Sequence, residues 1–365
     1  MVIKTITCHQ STNHGAMLQA YALPCFLKSF GHEVSVIDYR PGYMTERHRV
    51  PPRYNHWGIK QLYLLAKLPE DYGGWKRQQA MMPFFKRHMP ITSDKYITID
   101  ELKNNPPQAD LFIAGSDQIW NTSFKNGTDP AFYLDFGSPK RRISYAASFA
   151  TTELKVGTVG FVKQKLNNFD AISVRERSAL TLLRSLGHDG VVVVDPVFLL
   201  SAQQWDRLLD ENEPTRDYIL TYDFEKKNSP IGNISQRLAK LWNCSIYSVS
   251  PFKRDYADKS FVCCAPDKFV SLIKNARCVI SNSFHGTAFA MIYGRDLFVV
   301  KRKDGLNVRM LDLLSRYGLD HRLIPEDVSD DRLQESISYQ PVHQLLNDDI
   351  EFSKAYLQRQ IDLAK

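Results

Sequence analysis

Short apolar runs of strand length alternate with helix-length segments along almost the whole of this 365-residue chain. That alternation limits the fold more than any other feature. Consecutive parallel strands cannot be joined by a tight turn and need a crossover, usually a helix, so the pattern calls for parallel sheets covered on both faces. The opening reads as a strand over Val2–Thr7, a polar turn over Gln10–Gly15 and a helix from Ala16 to Phe30. Gly31 stops that helix and Glu33–Tyr39 is the next strand. Pro24 predicts a kink or an early break in the helix. Further strands are expected at Asp110–Gly115, Arg142–Ser148, Ala171–Val174 and Val191–Val194. A second alternating series runs from Tyr218 to Tyr317, with strands at Tyr218–Tyr222, Ser245–Val249, Cys278–Ser281 and Leu297–Val300. The chain ends in a helical stretch from about His343 to Ala364.

Single hydrophobic cores stop growing at about 250–300 residues, so a chain of this length divides. We expect a first Rossmann-like domain over 1–180, a second over 181–340, and a C-terminal helix over 341–365 that packs back on the first domain. Two such α/β domains facing across a cleft form the architecture called GT-B.

Charge is concentrated in one place. The net charge is +7, and the segment 46–90 supplies most of it, with Arg47, Arg49, Arg53, Lys60, Lys67, Lys76, Arg77, Lys86 and Arg87 against three acids. Tyr54, Trp57, Tyr63, Tyr72, Trp75, Phe84 and Phe85 are interleaved with them. The segment reads as an insertion of two helices. It suits either contact with anionic headgroups and sugars or two amphipathic helices with solvated basic faces. No nucleic-acid motif accompanies the charge. Met1–Cys8 lacks the character of a signal peptide, and no apolar run approaches the ~20 residues that span a bilayer, so a cytoplasmic protein is expected, with the inner membrane surface within reach of 46–90. The six cysteines (Cys8, Cys25, Cys244, Cys263, Cys264 and Cys278) show no CxxC or zinc spacing and are expected as reduced, packed thiols.

Ligands of parallel sheets bind at the carboxyl ends of strands, and four segments there carry usable chemistry. Ser11-Thr12-Asn13-His14-Gly15 either offers free N–H groups to an anion or simply caps the helix. In Gly115-Ser116-Asp117-Gln118-Ile119-Trp120-Asn121, Asp117 either accepts a proton from a sugar hydroxyl or caps a helix from Gln118. Trp120 there either stacks on a sugar or is core. Arg175, in Ser173-Val174-Arg175-Glu176, is a planar fork suited to carboxylate or phosphate, with a surface ion pair as the alternative. Ser281-Asn282-Ser283-Phe284-His285-Gly286-Thr287 places His285 at a helix start at the mouth of the expected cleft. No Gly-x-Gly-x-x-Gly or P-loop supports a nicotinamide or ATP, and no cluster demands a metal.

Taken in order, Asn13-His14-Gly15-Ala16, Leu18-Gln19-Ala20-Tyr21-Ala22-Leu23, Gly31-His32-Glu33-Val34, Val36-Ile37-Asp38-Tyr39-Arg40-Pro41, Gly115-Ser116-Asp117-Gln118-Ile119-Trp120-Asn121, Tyr145-Ala146-Ala147-Ser148-Phe149, Ser173-Val174-Arg175-Glu176, Val194-Asp195-Pro196 and Asn282-Ser283-Phe284-His285-Gly286-Thr287-Ala288 resemble the polysaccharide pyruvyl transferases. The resemblance implies a metal-independent GT-B-like enzyme that uses phosphoenolpyruvate as donor substrate, without a separate cofactor, to build a pyruvate ketal on a glycan. It places the donor against Arg175 and His285, with Asn282 beside them. The family pattern has an arginine two residues before the histidine, where this chain has Ser283. Arg309, at the start of a helix, is the expected replacement, and Arg302 the second choice. His285 and Asp117 are then the catalytic pair, and Asn13, His14 and Trp120 the acceptor side. The partner is a glycan, lipid-linked or free. Alternatives from other classes are a GT-B glycosyltransferase using a nucleotide sugar and a non-catalytic glycan-binding protein.

Overall fold

A computed structural model describes residues 1–45, 59–209, 217–226, 229–303 and 307–365, with backbone alone for 45 and 59–71. Two five-stranded parallel sheets carry the chain. The first contains β1 (Val2–Ile6), β2 (Glu33–Tyr39), β3 (Ile91–Tyr96), β4 (Leu111–Ala114) and β5 (Arg141–Ser144), in the order β3-β2-β1-β4-β5. Bridges from Ile143 to Ala171 and from Ala147 to Val174 extend it to β6 (Ser173–Val174), which pairs with β7 (Val191–Val192). The second sheet contains β8 (Tyr218–Tyr222), β9 (Ser245–Val249), β10 (Lys259–Phe261), β11 (Cys278–Ser281) and β12 (Asp296–Val299), in the equivalent order β10-β9-β8-β11-β12.

The shared order explains where chemistry can sit. In each sheet the chain runs outward from its first strand in one direction, then returns to build on the other side. The crevice opens at that switch point, beyond the carboxyl ends of β1 and β4 in one half and of β8 and β11 in the other. Three of the four segments singled out above follow β1, β4 and β11. The central strands β4, β8 and β11 are buried on both faces, which is why they read as continuous apolar runs.

The helices that matter here are α1 (His14–Lys28), α2 (Ile59–His88), α3 (Arg177–Ser185), α4 (Phe284–Ile292), α5 (Val308–Arg316) and α6 (Tyr339–Asp362). Several expectations need correcting. Pro24 does not break α1, which continues to Lys28. The basic insertion forms one 30-residue helix in its described part, not two, and α2 runs through Pro69 and Pro83. Its inner face buries Met81, Phe84 and Phe85, while Tyr72 and Trp75 are exposed. Arg47, Arg49, Arg53, Tyr54 and Trp57 lie outside the described residues, as do the side chains of Lys60, Tyr63 and Lys67. The boundary drawn at 180 falls inside α3, and the first sheet continues to Val192 through β7.

The halves meet tightly. One apolar cluster runs from Ile3 and Leu18 of the first half to Phe269 and Phe289 of the second. Helix α6 crosses back onto the first half. There Ser353 accepts from the Val194 N–H at 3.0 Å, the Tyr356 hydroxyl donates to the Ser144 carbonyl at 3.2 Å, and Arg141 donates to Gln360 at 2.7 and 3.0 Å. Among the described residues no helix is long and apolar enough to cross a membrane.

Candidate active site

The site is built on the strand-to-helix turns of both halves. At the first turn, Asn13 caps α1, its Oδ1 accepting from the Gly15 N–H at 2.9 Å and the Ala16 N–H at 3.3 Å. Capping uses that oxygen, yet Asn13 still lines the cleft. His14 does not belong to an open acceptor face. It is buried against the second half, with Nδ1 3.2 Å from the Tyr222 hydroxyl, Nε2 2.9 Å from the Cys264 carbonyl and its ring stacked on Phe269. Burial there lowers its pKa to about 4, against a small opposing effect of the Cys264 carbonyl.

The second turn differs from its expected form. No helix starts at Gln118, and Asp117 adopts a positive φ of 75°. That left-handed conformation is sparsely populated away from glycine and tends to persist only where surrounding contacts fix it. Asp117 is fixed by its carbonyl, which accepts from the Ile119 and Ser148 N–H groups at 2.8 and 3.1 Å. The turn points its carboxylate into the cleft. Trp120 is core rather than a sugar platform. It is fully buried, stacks on Tyr133, and donates its indole N–H to the Phe132 carbonyl at 3.0 Å.

Arginines organise the centre. Arg175, following β6, is not half of a surface pair. It is 5% exposed, with Nη1 2.5 Å from Asp195 Oδ2 and Nη2 3.6 Å from Asp117 Oδ1. Its guanidinium packs over the Phe284 ring at 4.5 Å. It therefore lies beneath the cleft floor. Arg309, on the first turn of α5, lines the cleft and places Nη1 3.3 Å from Asp117 Oδ1. Burial first, and then repulsion from Arg175, lower the Arg309 pKa to about 10, with Asp117 partly offsetting both. Glu176 turns inward, accepting from the Ser148 hydroxyl at 2.9 Å and the Ala150 N–H at 3.0 Å. Burial raises its carboxyl above the usual range.

The second half supplies His285, Asn282, Ser283 and Arg302, all lining the same cleft. Ser283 precedes α4 without a side-chain cap bond, leaving that helix's first N–H groups facing the cleft residues. Asn282 is held from behind, its Oδ1 accepting from the Phe224 N–H at 3.1 Å and its Nδ2 donating to Asp223 at 2.7 Å. Arg254 pairs with Asp223 at 3.1 Å. Arg302 lies over the Phe224 ring at 5.4 Å. His285 rests against the start of α1, where a Cβ on Gly15 would fall 2.0 Å from Nδ1.

The resulting cleft is small and lies between the halves. Two arginines, a histidine, a carboxylate and a helix N-terminus surround it. Such a set can bind a small anion and move a proton beside it. Asp195 is the residue that motif reading quoted without giving it a role. It accepts from Ser116 Oγ at 2.9 Å and from the Val197 N–H at 3.1 Å, and lies 3.6 Å from His285 Nε2. Burial would raise its carboxyl, but Arg175 above all, with His285 and Val197, holds it well below the usual carboxylate range. An acid followed by proline after an apolar strand could have flagged it. Its partners, 79, 20 and 90 positions away in sequence, could not have been read from spacing.

A model of the family described as polysaccharide pyruvyl transferase matches residues 13–304. The match includes Asn13, Asp117, Arg175, Asp195 and His285 and stops short of Arg309. No curated protein matches in sequence. Among solved structures, the chain is similar to UDP-N-acetylglucosamine 2-epimerase from Rickettsia bellii, at 14% identity, TM-score 0.55 and coverage of 100% and 97% of the two chains. It is also similar to Arabidopsis thaliana UGT89C1 complexed with UDP-L-rhamnose, at 12% identity, TM-score 0.51 and coverage of 100% and 98%. UDP-GlcNAc 2-epimerase from Methanocaldococcus jannaschii gives 12%, 0.51, and 95% and 93%. At these identities the likeness concerns the fold, which is the GT-B type.

Proposed function

The chain belongs to the polysaccharide pyruvyl transferase family, and we propose that it forms a pyruvate ketal on a sugar of a cell-surface polysaccharide or its precursor, with phosphoenolpyruvate as donor substrate and phosphate as the released product. The observation that carries this reading is the convergence of Arg309, Arg302, His285 and Asp117 on one cleft.

Phosphoenolpyruvate brings a carboxylate and a phosphate close together. Arg309 and Arg302, with the N–H groups at the start of α4, are suited to neutralise them in a preorganised site. His285 delivers a proton to the methylene carbon, C3, which becomes the methyl group, and C2 gains oxocarbenium character. One sugar hydroxyl adds to C2 and loses its proton. The C2–O bond to phosphate breaks, and a second hydroxyl of the same sugar closes the ring. Of the two hydroxyl protons, one replaces the proton given to C3 and the other leaves on phosphate. Asp117, 3.3 Å from Arg309, orients or deprotonates the attacking hydroxyl. Arg309 takes the place that Ser283 leaves without an arginine.

The acceptor is a glycan, and a lipid-linked form fits the exposed Tyr72 and Trp75 on the basic helix α2, a pairing suited to the inner face of the plasma membrane. The test is thermal unfolding with millimolar phosphoenolpyruvate, alongside UDP and UDP-sugars, followed by phosphate release with a sugar acceptor. Ligand at ~100 times its dissociation constant stabilises by about 2.7 kcal/mol. A shift given by phosphoenolpyruvate, and lost in Arg309→Ala, supports the reading. A shift with nucleotides alone replaces it with nucleotide-sugar chemistry.

A further inference from the structure

His285 has one nitrogen that a ligand in the cleft cannot reach. Its Nε2 is buried without a hydrogen bond and faces Asp195 Oδ2 at 3.6 Å. Proton exchange with the cleft therefore falls to Nδ1, on the ring edge that lies against Gly15. Asp195 itself cannot swing away. It is 1% exposed and anchored three times, by Arg175 Nη1, Ser116 Oγ and the Val197 N–H. An ionised carboxylate only accepts hydrogen bonds, so the imidazole nitrogen facing it is favoured in its N–H form.

We infer that Asp195 is a positioning residue that holds His285 with its proton on Nε2, presents Nδ1 to the ligand, and balances the imidazolium charge when Nδ1 is protonated. The arrangement joins the halves: Ser116, Arg175 and Asp195 come from the ends of first-half elements, and His285 from the second half. It also gives Arg175 its task. Lying beneath the floor, Arg175 orients and neutralises the carboxylate that orients the histidine. The logic is that of a carboxylate fixing the tautomer of a general base, where replacement by the amide drops turnover about 10⁴-fold in the serine proteases.

The inference rests on the proposed reading only for its effect on turnover, because the tautomer does not depend on which donor is used. The experiment is ¹⁵N NMR of the full chain labelled at histidine, with the His285 signals identified by their loss in His285→Gln. The expected result is a protonated Nε2 and a bare Nδ1 in the neutral ring. In Asp195→Asn, Arg175 and Ser116 claim the amide oxygen at the Oδ2 position that faces Nε2, so the ring keeps its proton there while the charge that balances the imidazolium is lost. Turnover should then fall roughly 10³-fold while the donor KM changes by less than about 3-fold. A proton on Nδ1 in the unaltered protein, or turnover in Asp195→Asn within about 3-fold of the unaltered protein's, overturns the inference. Should Asp195→Asn not fold, the spectrum of the unaltered protein decides alone. Failure of the unaltered protein to release phosphate from phosphoenolpyruvate would sink the pyruvyl transfer reading and leave the tautomer result standing.

Discussion

Arg309 Nη1 and Asp117 Oδ1 lie 3.3 Å apart although 192 positions separate them in sequence. One residue starts a helix of the second half and the other ends a strand of the first. The pair closes the cleft floor at the point where an anionic donor and a hydroxyl acceptor would meet. Asp117 also lies 3.6 Å from Arg175, so one carboxylate is shared between two guanidinium groups. Their mutual repulsion is what a bound anion would relieve.

Arg309→Lys therefore tests the donor contact. It keeps a charge but loses the planar fork, and a buried lysine beside Arg175 sheds its proton more readily. We expect kcat/KM for phosphoenolpyruvate to fall about 10–100-fold, mostly through KM. Steady-state kinetics with an unchanged donor KM would show that Ser283 is replaced by something other than Arg309.

Gly15 gives a test of close approach. Alanine is ordinarily preferred over glycine inside a helix by about 0.5–1 kcal/mol. Here the added Cβ would fall 2.0 Å from His285 Nδ1, and overpacking of this kind costs about 1–3 kcal/mol. Gly15→Ala should lower the melting temperature and reduce turnover at least 10-fold by displacing the imidazole. A melting temperature above that of the unaltered protein, with full activity, would mean that the ring moves aside freely.

His14 predicts an acid weakness at the seam between the halves. Its ordinary pKa of about 6.5 falls to about 4 in the folded chain, chiefly by burial. The unfolded chain therefore binds the extra proton first. The stability tied to a neutral His14 is complete above about pH 6.5, declines as the pH falls, and is gone below about pH 4. The span corresponds to about 3 kcal/mol. Urea melts at several pH values should show that His14→Gln flattens this part of the profile. An identical slope in the two proteins would assign the acid sensitivity elsewhere.

Helix α2 can be tested for surface binding directly. Tyr72 and Trp75 stack with ring centroids 5.9 Å apart, and Lys76 lies over the Tyr72 ring at 4.5 Å. Basic residues near an anionic bilayer contribute about 1 kcal/mol each, screened by salt. Co-sedimentation with vesicles rich in phosphatidylglycerol should weaken several-fold in Trp75→Ala and at high salt. Equal sedimentation under all of these conditions would remove the membrane contact from the proposal.

Much of the fold was legible because central parallel strands are buried on both faces. Leu111–Ala114, Tyr218–Tyr222 and Cys278–Ser281 read as apolar runs for that reason. The strands β3 and β10 went unread. Both lie at sheet edges, where Ser93, Asp94 and Lys95 face solvent and nothing marks ITSDKY as a strand. The helix expected at Gln118 failed because the left-handed Asp117 is imposed by its neighbours and not by local preference. Burial explains the Trp120 and His14 corrections: each side chain finds hydrogen-bond partners in packing that local sequence does not describe.

By itself, then, the sequence determined the two parallel α/β halves and the turns on which chemistry could stand, since periodicity and turn residues act over a few positions. Only the tertiary structure decided that Arg175 lies under the cleft, that Arg309 reaches Asp117 and that Asp195 faces His285. These relations are settled by how the two sheets pack and by the cost of burying charge without a partner. Neither leaves a mark at fixed spacing along the chain.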